Sequence, residues 1–244
     1  TVLPNADGSG YRMWYQGYNE RGNFGGLRGY VNAYATSADG IRWDKPNLGI
    51  FRWRDSTENN MFLARKHSPG DDHNPQIIHT PWETDPQKKF KMITYTYAAN
   101  RDTSEDEGYW GSYSPDGIHW TDVEHNPVLK KGGDVGHFSW DAHQKRYMAT
   151  VKIWTTVPRL DGLRRCIGIT ATEDFEHWPH PELVLVPDEI DDRMYPGKSG
   201  VQFYGLSSFA YESGYIGFLW IFRTGSGGQI YVQLVSSRDG IAWT

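Results

Sequence analysis

The sequence predicts an all-β fold of short antiparallel strands and tight turns. Three observations carry this: a turn motif that recurs along the chain, a composition rich in aromatics and glycine, and the lack of any convincing helix-period segment. Ser37-Ala-Asp-Gly-Ile-Arg-Trp43 returns as Ser114-Pro-Asp-Gly-Ile-His-Trp120 and Ser237-Arg-Asp-Gly-Ile-Ala-Trp243, with a degenerate copy at Thr172-Glu-Asp-Phe-Glu-His-Trp178. The tryptophans lie 77, 58 and 65 residues apart, the scale of a four-stranded propeller blade of about 40–50 residues plus loops. The 244 residues include 11 Trp, 15 Tyr, 10 Phe and 27 Gly, yet only 38% are hydrophobic. Such a mixture suits strands and turns better than helices. We therefore expect a β-propeller with four recognisable blades, five when complete, with residues 1–244 forming a single domain.

The elements follow in order around each motif. An upstream strand is expected at Tyr11–Tyr15, Phe90–Tyr95, Tyr147–Ile153 and Tyr215–Trp220. A second strand then runs into the motif: Val31–Thr36, Tyr109–Tyr113, Cys166–Thr170 and Ile230–Val235. Asp-Gly supplies the hairpin turn, glycine taking the positive φ that favoured turns need. The tryptophan restarts an outer strand and is expected to pack between neighbouring blades. Inner strands are expected at Pro75–His79, Gly136–Trp140 and Gln202–Phe209, followed by short turns at Thr84–Lys88, Asp141–Lys145 and Tyr211–Gly214. The fourth blade lacks its outer strand. Its completion, or that of a fifth blade, is expected from chain outside the given ends or from an N-terminal Thr1–Leu3 strand. In this frame Asp39, Asp116, Asp174 and Asp239 are turn caps and not catalysts.

Charge and cysteine content exclude several functions. Twenty-five basic and 30 acidic side chains leave a net charge of −5, which makes no electrostatic case for a nucleic-acid groove or a polybasic membrane anchor. No run approaches the roughly 20 apolar residues that span a bilayer. The single cysteine, Cys166, excludes an internal disulfide and a cysteine metal cluster. It lies mid-strand among aliphatic residues, where a thiol is inert. There is no phosphate-binding glycine loop ahead of a helix and no Gly-x-Ser-x-Gly elbow. The chain starts at Thr1 without methionine and reads as an excised or processed piece. A periplasmic or secreted location is expected if the full-length chain carries a signal peptide.

The loops divide into a short set and a long, polar set. The long set comprises Gly17–Gly29, Ala98–Gly108, Thr155–Arg165 and Arg223–Gly228 within blades, and Arg65–Asn74, Lys130–Val135 and Pro187–Gly200 between them. Long loops at one end of a rigid scaffold are where function resides, so the site is expected at that mouth of the channel. Carboxylates from adjacent inner-strand entries would converge there, and like charges held close separate into one acid and one base. Asp72 and Asp134 sit nearest the strand entries and are the leading catalytic candidates, with Glu107 and Glu189 as further acids. Asp71, His73, His137, Arg28, Arg101, Arg165, Tyr195 and Arg223 are candidate substrate contacts. Every long in-blade loop carries arginine, whose guanidinium favours carboxylate, sulfate or phosphate, so an anionic sugar is one expected ligand. Trp110, Tyr195 and Tyr204 offer stacking faces. His73 and His137 raise a metal reading, though two histidines on separate strands do not make a site. No cofactor is assigned, and a structural divalent cation such as calcium near the channel is the one option kept.

The motif resembles the Asp box of sialidases but is one residue shorter between Asp and Trp, which argues for a propeller and against a sialidase. Tyr11-Arg-Met-Trp-Tyr-Gln-Gly17, Tyr34-Ala-Thr-Ser-Ala-Asp-Gly-Ile-Arg-Trp43-Asp-Lys-Pro-Asn-Leu-Gly49 and Asp174-Phe-Glu-His-Trp178 resemble bacterial proteins allied to the five-bladed propeller glycoside hydrolases. That superfamily includes arabinanases, β-xylosidases, invertases and levansucrases. The resemblance spans nearly the whole chain and rests on scaffold motifs. It implies three acids at the channel mouth: Asp on the first blade, Asp on the second and Glu on the third. The second matches Asp71 or Asp72; the third position shows Asp134 and no Glu; the Thr1–Pro4 strand supplies no first-blade acid. By this likeness Asp72 would tune the site or act as base, and Asp134, Glu107 or Glu189 would protonate the leaving oxygen. The leading expectation is hydrolysis of a glycosidic bond in a plant or algal polysaccharide. A non-catalytic carbohydrate-binding propeller and a protein-interaction scaffold are the rivals, and fold alone does not choose among them.

Overall fold

The computed structural model describes residues 1–18, 30–53, 55–63, 72–97, 107–130, 132–196, 200–224 and 228–244. They form two compact units, Thr1–Pro127 and Val128–Thr244. Unit one holds two antiparallel sheets. The first orders β1 (Val2–Pro4), β2 (Tyr11–Tyr18) and β3 (Tyr30–Ser37); the second orders β4 (Asp72–His79), β5 (Phe90–Thr96), β6 (Gly108–Ser114) and β7 (Thr121–Asp122). Unit two repeats the plan with β8 (Gly136–Asp141), β9 (Arg146–Thr156), β10 (Leu163–Thr172) and β11 (Glu182–Leu185), then β12 (Val201–Tyr211), β13 (Gly214–Arg223) and β14 (Gln229–Ser237). Strand order follows chain order in every sheet, the up-and-down meander of a propeller blade.

The recurring motif acts as the sequence predicts. Ser37 Oγ accepts from the amides of Asp39 and Gly40, and Asp39 Oδ1 accepts from those of Ile41 and Arg42. Asp116 and Asp239 close their turns in the same way. Asp174, with phenylalanine in place of glycine, accepts from Glu176 N–H at 2.9 Å. These carboxylates are consumed by backbone amides, as turn-capping aspartates are.

Several details differ from expectation. The N-terminal strand pairs with β2, Leu3 opposite Arg12, so it completes the first sheet and not the last. The inner strand β4 begins at Asp72, three residues before Pro75, because a bulge between His73 and Gln76 absorbs the proline, with Asn74 at φ 56°. Of the motif tryptophans in unit two, Trp178 packs within its own sheet, on Phe138 and Tyr147, whereas Trp243 is buried with Met148 and Ile167 of the neighbouring sheet, as expected. The 187–200 connection, expected as loop, contains α1 (Glu189–Met194), started by a capping box between Asp188 and Asp191. A single 3-10 turn at Pro86–Lys88 also replaces part of the expected 84–88 turn.

Each unit has its own core. In unit two Met148, Ile167, Val201, Leu206, Leu219, Ile221 and Trp243 are buried together. Cys166 is fully buried in β10, and burial pushes its thiol up to about 11, which leaves it inert at neutral pH. In unit one, Trp14, Tyr34, Phe62, Ile77, Phe90 and Met92 form the core. Trp14 is 1% exposed, and its indole Nε1 donates to the Gly117 carbonyl at 2.6 Å, joining the first sheet to the turn of the second. Gly117 sits at φ 81°, and an added Cβ would lie 2.7 Å from Trp14 Cζ2. Gly8 has a similar φ of 73° with nothing within 4 Å. Gly117→Ala should therefore destabilise the protein by about 2–4 kcal/mol, strain plus overpacking, and Gly8→Ala by only about 1–2 kcal/mol. Urea unfolding of the two variants measures the difference.

Candidate functional site

In both units the strand ends joined by the long connections gather polar and aromatic side chains. In unit one the entry of β4 is pinned to the first sheet. Asn32 Nδ2 donates to the Asp72 carbonyl at 2.9 Å and Gln16 Nε2 to the same oxygen at 3.3 Å. The Asp72 carboxylate is only 3% exposed and accepts from the Thr96 hydroxyl at 3.0 Å. Burying a carboxylate is costly unless it is hydrogen-bonded, and the Thr96 hydroxyl supplies such a bond.

Successive strand residues face opposite ways, so His73 and its register partner Tyr95 leave the face opposite Asp72 and Thr96. The Tyr95 hydroxyl donates to Glu107 Oε1 at 2.8 Å. The His73 ring meets Tyr30 edge-on at 4.5 Å and Tyr97 at 6.2 Å. Glu107 and His73 thus belong to one aromatic-lined side of the sheet, and Asp72 to the other. Trp110 pairs with Thr94 in β6. Asp71, Arg28 and Arg101 lie outside the described residues.

Unit two assembles a denser group. Asp134 forms an ion pair with Lys152, whose side chain is 5% exposed. Burial lowers the Lys152 ammonium below its ordinary value, and the contact with Asp134 opposes the shift. Lys152, Trp154 and Arg165 project from one face of the third sheet, Arg165 standing opposite Trp154 in the register. The Arg165 guanidinium carbon lies 4.1 Å from the Trp154 ring centroid and 5.1 Å from that of Tyr204. Lys152 Nζ lies 4.5 Å over the same Tyr204 ring. Arg165 Nη1 donates to Gln202 Oε1. Tyr204 reaches this group because β12 bulges between Phe203 and Gly205, and bulges re-aim side chains in this way. A cleft of about 350 Å³ lined by Lys152, Trp154, Thr155, His180 and Leu183 runs alongside.

The remaining candidates stand apart from that group. Glu189 is exposed in the first turn of α1, where it lines a second cleft with Arg159 and Arg193. Tyr195 ends the helix and packs on Tyr231 at 5.5 Å. Arg223 Nε donates to the Pro196 carbonyl at 2.7 Å, a structural contact. Burial pushes the imidazole of His137 down to about 4, and its Nδ1 accepts from Ser208 N–H at 3.4 Å. Among the described residues no group of three or more His, Cys, Asp or Glu side chains is arranged to hold a metal ion.

Sequence reading missed Lys152, Trp154 and Gln202. Lys152 and Trp154 alternate along one strand, a signal present in the sequence but indistinguishable from an ordinary strand without the neighbouring sheet.

The fold is shared with solved glycoside hydrolases. The chain is similar to BT0996 as solved in its RGII complex, with a TM-score of 0.67 and 14% identity over 100% of this chain and 71% of that one. For a thermostable family-43 glycoside hydrolase the TM-score is 0.65 at 11% identity, covering 99% and 69%. A family 117 glycoside hydrolase from the marine bacterium Zobellia galactanivorans gives 0.59 at 12% identity, covering 100% and 66%. No protein-family model matches the sequence, and no curated protein matches it. At such identities the likeness establishes the fold: this is an all-β propeller of the kind glycoside hydrolases use.

His137 makes stability pH-dependent. Its folded value lies below that of the unfolded chain, so the unfolded state binds more protons between about pH 6.5 and 4. The stabilisation is complete above pH 6.5 and is lost as pH falls towards 4. Wild type should lose on the order of 1–3 kcal/mol across that window relative to His137→Asn, read by urea unfolding at stepped pH.

Proposed function

We propose that the chain is a glycoside hydrolase acting on a plant or algal polysaccharide or oligosaccharide, with residues 1–244 as one propeller domain. The observation that carries the reading is the Asp134–Lys152 pair set beside Tyr204 and Trp154 at the strand-entry end of unit two. Aromatic faces beside a mostly apolar cleft with a few charged groups suit a sugar-binding pocket, and Asp134 supplies one of the two carboxyl groups that glycoside hydrolysis uses. The shared fold supports it, as does the oligosaccharide partner named for one structural neighbour, an N-acetylgalactosamine deacetylase in complex with blood group B trisaccharide.

The roles divide by environment. Asp134, beside an ammonium, suits the base that activates water or the group that stabilises developing positive charge on the sugar ring. Asp72, buried against Thr96, suits tuning of its neighbours' ionisation. The resemblance implies a proton donor for the leaving oxygen; Glu107 and Glu189 are carried as candidates on that ground alone.

A second reading, a propeller that binds carbohydrate without cleaving it, is favoured by the same ion pair, because a carboxylate held by lysine is a poor proton donor. The two readings separate on one set of measurements. Asp134→Asn and Asp72→Asn should each lower hydrolysis of a cleaved glycan by about 10²–10⁴-fold while oligosaccharide binding, followed by calorimetry, persists. Binding by wild type with no turnover across a broad glycan panel would assign the non-catalytic role.

A further inference from the structure

We propose that Arg165 anchors a subsite for a sugar carboxylate, so that the preferred ligand carries a uronic acid residue; this rests on the carbohydrate reading above. The starting observation is an imbalance of charge partners. Arg164, its neighbour in β10, grips Asp192 through both terminal nitrogens at 3.1 and 3.0 Å. Lys152 faces Asp134. Among the described residues Arg165 has no carboxylate partner: its hydrogen bond goes to the neutral side-chain oxygen of Gln202. Two cations therefore share the Tyr204 ring and the field of Asp134.

The guanidinium is also held as a receptor would hold it. Trp154, Tyr204 and Phe222 surround it at 4.1, 5.1 and 5.3 Å. Stacking on rings fixes the plane of the guanidinium and leaves its edges for hydrogen bonding. Nη1 is engaged with Gln202, while Nε is buried without an acceptor among the described residues. Nε and Nη2 lie along one edge of the fork, the edge that grips a carboxylate through two parallel bonds. An unsatisfied buried donor is costly; because Nε is closed off from solvent, a carboxylate gripping this edge shifts a neighbouring ring as it enters. Gln202 meanwhile prevents the group from swinging away.

The surroundings fit a sugar that bears this charge. Trp154 is 48% exposed and lines the adjacent cleft of about 350 Å³, within the lower range of small-molecule sites. Lys152, on the same sheet face, adds positive potential without competing for the fork, since Asp134 already holds it.

The test compares galacturonic acid oligosaccharides, their methyl esters, sulfated galacto-oligosaccharides and matched neutral galacto-oligosaccharides, using the whole chain and calorimetry at two salt concentrations. Wild type is expected to bind the acid at least about tenfold more tightly than ester or neutral sugar, with the difference shrinking at high salt. Arg165→Lys, which keeps charge but loses the fork, should lose most of that preference; Arg165→Gln should bind acid and ester alike. Circular dichroism checks that both variants fold, and the wild-type comparison of acid with ester needs neither. Equal affinity for acid and ester, or an undiminished preference in folded Arg165→Gln, overturns the proposal and leaves the carbohydrate reading standing. Tighter binding of a galactose sulfate than of the uronate overturns the assignment to carboxylate. If no sugar in the set binds, charged or neutral, the carbohydrate reading falls and this proposal with it.

Discussion

At three places the chain reverses direction on the same two oxygens, and the rest of the structure depends on those reversals. Ser37 Oγ and Asp39 Oδ1 between them take four successive amide hydrogens; Ser114 with Asp116 and Ser237 with Asp239 do likewise. An exposed turn has few other sources of order, and each such bond contributes about 0.5–1.5 kcal/mol. The backbone amides also hold Asp39 and Asp239 below the usual carboxylate range, and Asp116 at about 2. The acids are therefore charged acceptors at neutral pH. Closing one end of three of the four sheets so firmly frees the opposite end to carry long connections and unusual side chains.

What the sequence discloses follows the range over which the governing forces act. The Asp-Gly turns and the order of strands are legible because they arise from contacts two or three residues apart. Asp72 is legible as a strand-entry acid, though Pro75 obscures where the strand begins; the left-handed Asn74 that resolves this has no unambiguous local signature. The bond from Trp14 to Gly117 spans 103 residues and leaves no mark in either neighbourhood. Tyr204 shows the same limit: it is an evident aromatic, but the bulge that turns it towards Lys152 and Arg165 depends on the pairing of β12 with β13. Of the arginines, sequence position treats Arg164, Arg165 and Arg223 alike. The folded chain gives them a carboxylate, a set of rings and a carbonyl respectively.

The acids that composition alone groups together meet four different fates. Asp72 is buried on a hydroxyl, Asp134 is paired with an ammonium, Glu107 accepts from a phenol and Glu189 stands in water at a helix start. Chemistry by carboxyl groups requires unequal environments, because identical ones would titrate together. The inequality arises from which strand face and which connection each residue occupies, and not from the residues themselves.

The Trp14 indole, seated on the Gly117 carbonyl, limits how this scaffold can diversify. A residue inserted into the 114–120 reversal would lift that carbonyl off the ring and open the heart of unit one, so descendants of this chain cannot readily lengthen it there. Novelty is pushed to the far rim, where connections already vary in length. A buried hydrogen bond with no role in chemistry in this sense directs where new chemistry can arise, by forbidding change at its own end of the sheet.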